Sequence, residues 1–275
     1  MKLELSKATI HYESFGKGYP LLALHGWMID HRYMERLLEP AFDNRDGWRR
    51  IYIDIPGHGR SIATEAIKNS DDVLDTILEF IDTEMEGERF AIAGTSYGSI
   101  LARGVVARRS DDIDGLLLIS PDVDHGSENT KLPPRTVVVK SEMTGADLQP
   151  LERRLFENEL VVQSAEALEI LREVVVPAFE IADSVLLEKL SASYTLSFEQ
   201  DMRAQLFDRP TLFLMGRQDH RTGYQNVWSI IENYPRASFV VLDRAGHTIG
   251  AIEQVNLCIS LINDWLDRVE ENQRA

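Results

Sequence analysis

Apolar residues gather along this chain in short, nearly unbroken runs, and between the runs they recur at helical spacing. The runs fall at residues 21–24, 50–53, 90–93, 116–119, 211–215 and 239–242. Continuous rather than alternating hydrophobicity predicts strands buried on both faces, as in a sheet covered by helices on either side. Between them, Val73, Ile77, Phe80 and Ile81 form a helical stripe behind Ser70, a candidate N-cap. Val255, Ile259, Ile262, Leu266 and Val269 form another near the C-terminus. Strand alternating with helix predicts a largely parallel α/β sheet. A short hairpin at 3–6 and 9–12 precedes it, with a turn at Gly16-Lys17-Gly18.

The alternation breaks once. Residues 122–207 carry helical patterns at 151–160, 165–176 and 181–190, punctuated by Pro133-Pro134 and Pro177. Residues 137–139 read either as a short strand or as a lead-in to these helices. Pro210 marks the return to the sheet, so a helical layer is inserted on one end of it. The last residues, 270–275, read as a frayed tail.

Composition narrows the function. Lys and Arg number 29 against 45 Asp and Glu, a net charge of −16, which argues against nucleic acid or an anionic membrane as partner. The single cysteine, Cys258, excludes an internal disulfide and reads as core filler. No signal-like stretch opens the chain and no run approaches a membrane span, so a cytoplasmic protein is expected.

The chemistry gathers at strand ends. Gly94-Thr95-Ser96-Tyr97-Gly98 follows the run at 90–93 and precedes a helical pattern. Two glycines bracketing a serine between strand and helix are what a sharp, nucleophile-presenting turn demands. A serine hydroxyl needs a base, and His247 follows the run at 239–242 behind Gly246. The base needs an acid to fix its tautomer. Asp219 turns off the run at 211–215, giving the chain order Ser, Asp, His. Asp122 and Asp124 also follow a strand end and compete for that role. The backbone N–H groups of Trp27, after Leu24-His25-Gly26, and of Tyr97 are the expected oxyanion donors, with His25 bracing the loop. His125 and His220 read as exposed, while His11 and His31 lack the partner spacing of metal ligands. No cofactor or metal is called for.

Together with Asp54-Ile55-Pro56-Gly57-His58-Gly59-Arg60-Ser61, a structural rather than catalytic turn, these motifs resemble the α/β-hydrolase superfamily in its capped branch, over nearly the whole chain. The resemblance implies an eight-stranded, mostly parallel sheet in two parts, 1–123 and 208–275, and a helical cap over 124–207. It also implies a serine hydrolase acting on an ester-like small molecule: a carboxylic ester, thioester or lactone. The alternatives are carbon–carbon bond hydrolysis, peptide cleavage, acyl transfer, or a non-catalytic receptor. Ser99 stands where many relatives have glycine, and Thr95 where histidine is frequent. The glutamates of the inserted helices (Glu152, Glu157, Glu159, Glu166, Glu169) read as solvated faces. Substrate and oligomeric state stay open.

Overall fold

A computed structural model describes residues 1–128, 130–140 and 148–274; the remaining part of segment 124–207, and Ala275, lie outside the described residues. Eight strands form one continuous sheet in the order β1-β2-β4-β3-β6-β7-β8-β9, and a two-residue β5 (Ile62–Ala63) pairs with β2. β1 (Lys2–Glu4) and β4 (Trp48–Ile53) run antiparallel to β2 (Ala8–Gly16). From β4 onward, through β3 (Tyr19–Leu24), β6 (Phe90–Thr95), β7 (Ile113–Ile119), β8 (Thr211–Gly216) and β9 (Ala237–Leu242), neighbours are parallel. Each apolar run of the sequence lies in one of these strands.

Strand alternation splits the core in two. Leu22 and Leu24 face α2 (Ser70–Glu84) and α3 (Tyr97–Arg109), packing with Ile77, Phe80 and Leu101. Leu21 and Ala23 face α1 (His31–Leu38) and α9 (Val255–Arg274), packing with Met34, Trp265 and Leu266. Both faces of the central strands are therefore dry, which is why their sequences are apolar without alternation.

Three local expectations change. Asn69, not Ser70, caps α2, its side chain accepting from Asp72 N at 2.9 Å. Ser70 is the first helical residue, and its buried hydroxyl contacts the Tyr97 hydroxyl at 2.9 Å and donates to the Tyr194 carbonyl at 2.7 Å. Residues 137–139 form no strand, only a bridge from Val139 to Val162. The C-terminal tail is helical to Arg274, continuing α9 beyond its buried stripe of Ile262, Trp265, Leu266 and Val269. Cys258 is buried in the same stripe, and burial pushes its thiol up to about 12.

Between β7 and β8 lie α4 (Pro150–Glu159), α5 (Ala165–Ile170), α6 (Val176–Ile181), α7 (Ser184–Ser191) and α8 (Glu199–Ala204). Leu155 and Leu171 join the α1/α9 side of the core, while Leu190 and Met202 join the α2/α3 side. Among the described residues, no helix is long and apolar enough to cross a membrane.

Candidate active site

Ser96 sits between β6 and α3 with φ 51° and ψ −118°. A non-glycine residue at positive φ is strained, at a cost of roughly 1–3 kcal/mol, and persists only where its surroundings hold it. The flanking glycines show why the turn is so tight. A Cβ on Gly94 would lie 2.3 Å from the Gly98 carbonyl oxygen, and one on Gly98 would lie 2.3 Å from that of Leu24. Further ties hold the turn to β7: Ser96 N donates to Ile119 O at 3.0 Å, and the Ser99 hydroxyl donates to the Ser96 carbonyl while accepting from Asp122 N at 3.1 Å. Where Ser99 stands in place of glycine, its hydroxyl thus joins the serine turn to the loop after β7.

His247 follows β9 and reaches the same point. Its Nε2 lies 3.0 Å from Ser96 Oγ, and its Nδ1 lies 3.0 Å from Asp219 Oδ2. Asp219, only 2% exposed, turns off the end of β8. Its Oδ1 accepts from Arg221 N at 2.9 Å and Thr222 N at 3.1 Å, and its Oδ2 from Thr222 Oγ1 at 2.9 Å. Burial opposes ionisation of this carboxyl, but the His247 ring and the backbone donors outweigh it and hold it well below the usual carboxylate range. The same contest runs in His247. Burial lowers its pKa, yet the attraction of Asp219 leaves it above the ordinary value.

The rival acids are engaged elsewhere. Asp122 Oδ2 meets His125 Nδ1 at 2.8 Å, and Asp124 pairs with Arg203. At the other strand end, His25 Nδ1 meets Gly26 O at 2.7 Å and its Nε2 accepts from Ile55 N at 2.9 Å, clamping the loop that carries Trp27. The Trp27 ring stands edge-on to Tyr97, with centroids 5.0 Å apart. Among the described residues, neither the Trp27 nor the Tyr97 amide donates to a protein acceptor.

The chain matches the family described as alpha/beta hydrolase fold over residues 19–251. It belongs to that family. It is 22% identical over 267 residues to a pimeloyl-[acyl-carrier protein] methyl ester esterase of Legionella pneumophila (strain Corby), covering 94% of this chain and 99% of that one. A Nitrosomonas europaea protein of the same name is 26% identical, covering 87% and 93%. Among solved structures, an alpha/beta superfamily hydrolase from Oenococcus oeni PSU-1 is similar at TM-score 0.88 and 24% identity, covering 98% of this chain and 99% of that one.

In this α/β hydrolase, a cavity of about 640 Å³ opens over Ser96 and His247. Its apolar side comes from Met28, Leu155, Leu171, Val175 and Phe179. Leu171–Val175 is a single π turn between α5 and α6, a local widening of the helix that supplies two of these residues. The polar side contains Asp122, His125, Arg154, Glu159 and Arg221. His125 lines the cavity and is exposed, as expected, its ring stacked on Tyr194 at 4.0 Å. Three other expectations of exposure fail. Glu159 faces the cavity and pairs with Arg221, whose Nε lies 3.0 Å from Glu159 Oε2. Glu152 is likewise tied down, to Arg172 at 2.9 Å. His220 is half-buried beside the pocket rather than exposed.

The sequence reading missed two groups. Tyr194 packs on Trp27, Tyr97 and His125 and lines the cavity; burial first, then the Asp122 charge, pushes its phenol well up. Glu253, 3% exposed, accepts from Gly246 N at 2.6 Å, Val161 N at 2.7 Å and Val162 N at 3.0 Å. It fastens the His247 loop to the end of α4. Only the separation of six positions from His247 could have pointed to it, and that alone carries no chemistry.

Proposed function

We propose that the chain is a serine hydrolase of small-molecule carboxylic esters, with Ser96 as nucleophile, His247 as base and Asp219 as the acid that orients the base. The observation carrying this reading is the continuous chain Asp219–His247–Ser96, with both hydrogen bonds at 3.0 Å. A neutral imidazole donating from Nδ1 to Asp219 leaves the Nε2 lone pair facing the hydroxyl. As Ser96 Oγ adds to the ester carbonyl, its proton passes to His247 Nε2. The amides of Trp27 and Tyr97 receive the oxyanion, each donor supporting the transition state by about 3 kcal/mol. The imidazolium then protonates the departing alcohol, and water, activated by the same ring, hydrolyses the acyl-enzyme.

In this reading, segment 124–207 is the cap over the two-part core 1–123 and 208–275. Leu155, Leu171, Val175 and Phe179 receive an apolar acyl chain. The pimeloyl methyl ester named for the relatives is one substrate with such a chain. A cytoplasmic location goes with this reading.

The test is turnover of p-nitrophenyl esters of increasing acyl length by the wild type and by Ser96→Ala. The wild type should turn over with a preference for medium chains, and Ser96→Ala should lose activity on the order of 10⁵-fold or more. A folded wild type inert on every ester, or a Ser96→Ala enzyme with unchanged turnover, contradicts the proposal and favours a receptor or a different reaction.

A further inference from the structure

The buried carboxylate of Asp54 organises a second cluster, away from the residues lining the Ser96 cavity. Asp54 Oδ1 takes His31 Nδ1 at 2.8 Å and His31 N at 2.9 Å; Oδ2 takes His11 Nδ1 at 2.9 Å and Arg60 N at 2.8 Å. An ionised carboxylate only accepts, so both imidazoles present Nδ1–H to it and each keeps its lone pair on Nε2. A carboxylate that fixes histidine through Nδ1 and frees Nε2 is how metal-binding histidines are oriented.

Glu13 supplies a third donor. It lies two residues beyond His11 on β2, hence on the same face of the strand. Its Oε1 is 3.4 Å from His11 Nε2. Two ligands about 2.0–2.2 Å from a tetrahedral zinc ion sit roughly 3.3–3.5 Å apart, so this spacing is that of two ligands on one ion. One ligand atom from each of His11, Glu13 and His31 lies within 4.8 Å of the other two. Of the other carboxylates nearby, Asp30 is occupied by Arg32 at 2.6 Å and by the N-terminus of α1, and Glu35 on α1 acts on His31 and Glu13 through its charge. The Met1 ammonium, 3.8 Å from Glu13 Oε1, is a competing charge at the rim.

We propose that His11, His31 and Glu13 bind a divalent transition-metal ion, with zinc the best fit to two imidazoles and one carboxylate. Asp54 is the shared orienting group, and the fourth position is left to water. The two rings are buried, while the Glu13 side chain, 37% exposed, gives the ion a way in. The ion would join β2 to α1 and to the 54–61 loop, whose His58 ring packs on Trp27 and Tyr97. Its role is structural, since none of the three ligands lines the cavity.

The experiment uses the full chain, stripped with a chelator and dialysed against zinc chloride, with bound metal and thermal midpoint measured; cobalt(II) then replaces zinc for its visible spectrum. Wild type should bind one zinc per chain, melt higher with zinc than without, and give the visible bands of low-coordinate cobalt. Glu13→Gln and His11→Gln should weaken zinc binding at least about tenfold and abolish the zinc-dependent rise in midpoint. Metal-free Glu13→Gln should keep the ester turnover of the metal-free wild type. Folded wild type binding no zinc overturns the proposal, as does zinc bound equally well by Glu13→Gln. Should His11→Gln fail to fold, the surface substitution at Glu13 decides alone.

Discussion

Two aspartate–histidine pairs bring their imidazoles to one cavity, and they differ in what the far nitrogen meets. In Asp219–His247 the contact is 3.0 Å, the acid is held by two backbone amides and a threonine hydroxyl, and Nε2 reaches Ser96. In Asp122–His125 the contact is 2.8 Å, but the two residues are three apart on one loop, and the imidazole is 45% exposed and stacks on Tyr194. Both histidines are shifted up: the hydrogen bond to Asp122 is the leading cause for His125, whereas in His247 the Asp219 charge must overcome burial. An acid–histidine contact is therefore no mark of a general base. What separates the pairs is a nucleophile at Nε2 and a carboxylate held in place by donors other than the imidazole.

The largest effect that could break this comparison is amide substitution of the two acids. Asp219→Asn should lower kcat about 10⁴-fold, because an amide NH2 pointed at Nδ1 favours the wrong tautomer of His247. Asp122→Asn should cost less than about tenfold. Steady-state turnover of an activated ester measures both, and the reverse ranking assigns the role to Asp122.

A smaller effect lies in the pH profile. His247 must be neutral to accept the Ser96 proton, and Asp219 raises its pKa above 6.5. The log of kcat/KM should thus fall with unit slope as pH drops below a midpoint lying above 6.5. In Asp219→Asn the residual activity should show that midpoint moved to lower pH, since burial is then opposed only by the weaker attraction of Glu159 and Asp122. In Asp122→Asn it should scarcely move.

The smallest effect is His125→Asn. Loss of a cavity-wall ring that touches neither Ser96 nor His247 should change KM by less than about fivefold and leave kcat as it was. A large loss in kcat would mean that His125 takes part in proton transfer.

The core of the candidate site was legible because each part follows an apolar strand. Ser96, Asp219 and His247 all follow runs with no polar alternation, and glycines punctuate each turn. Two glycines, each two positions from Ser96, identified the serine turn, and the carbonyl contacts of Gly94 and Gly98 give the steric reason. Asp122 and Asp219 could not be ranked from sequence, since both leave strand ends and only three-dimensional pairing separates them. Tyr194 and Glu159 were hidden for another reason: a helical pattern of apolar and acidic residues does not reveal which face looks into a cavity. His11 and His31 looked unrelated because the sheet brings them to Asp54, and no spacing rule spans a strand, a loop and a helix start. At α2 both Asn69 and Ser70 are good capping residues, and the choice between neighbours rests on the buried contacts that Ser70 makes with Tyr97 and Tyr194.

The central claim, that Ser96 is made nucleophilic by His247 under the control of Asp219, is tested most directly by the rate and site of fluorophosphonate labelling, followed by intact mass and peptide mapping. The account predicts one adduct per chain on Ser96, absent in Ser96→Ala, slowed by orders of magnitude in Asp219→Asn and nearly unchanged in Asp122→Asn. A folded wild-type protein that takes up no label, or labels as fast in Asp219→Asn as in the wild type, contradicts it.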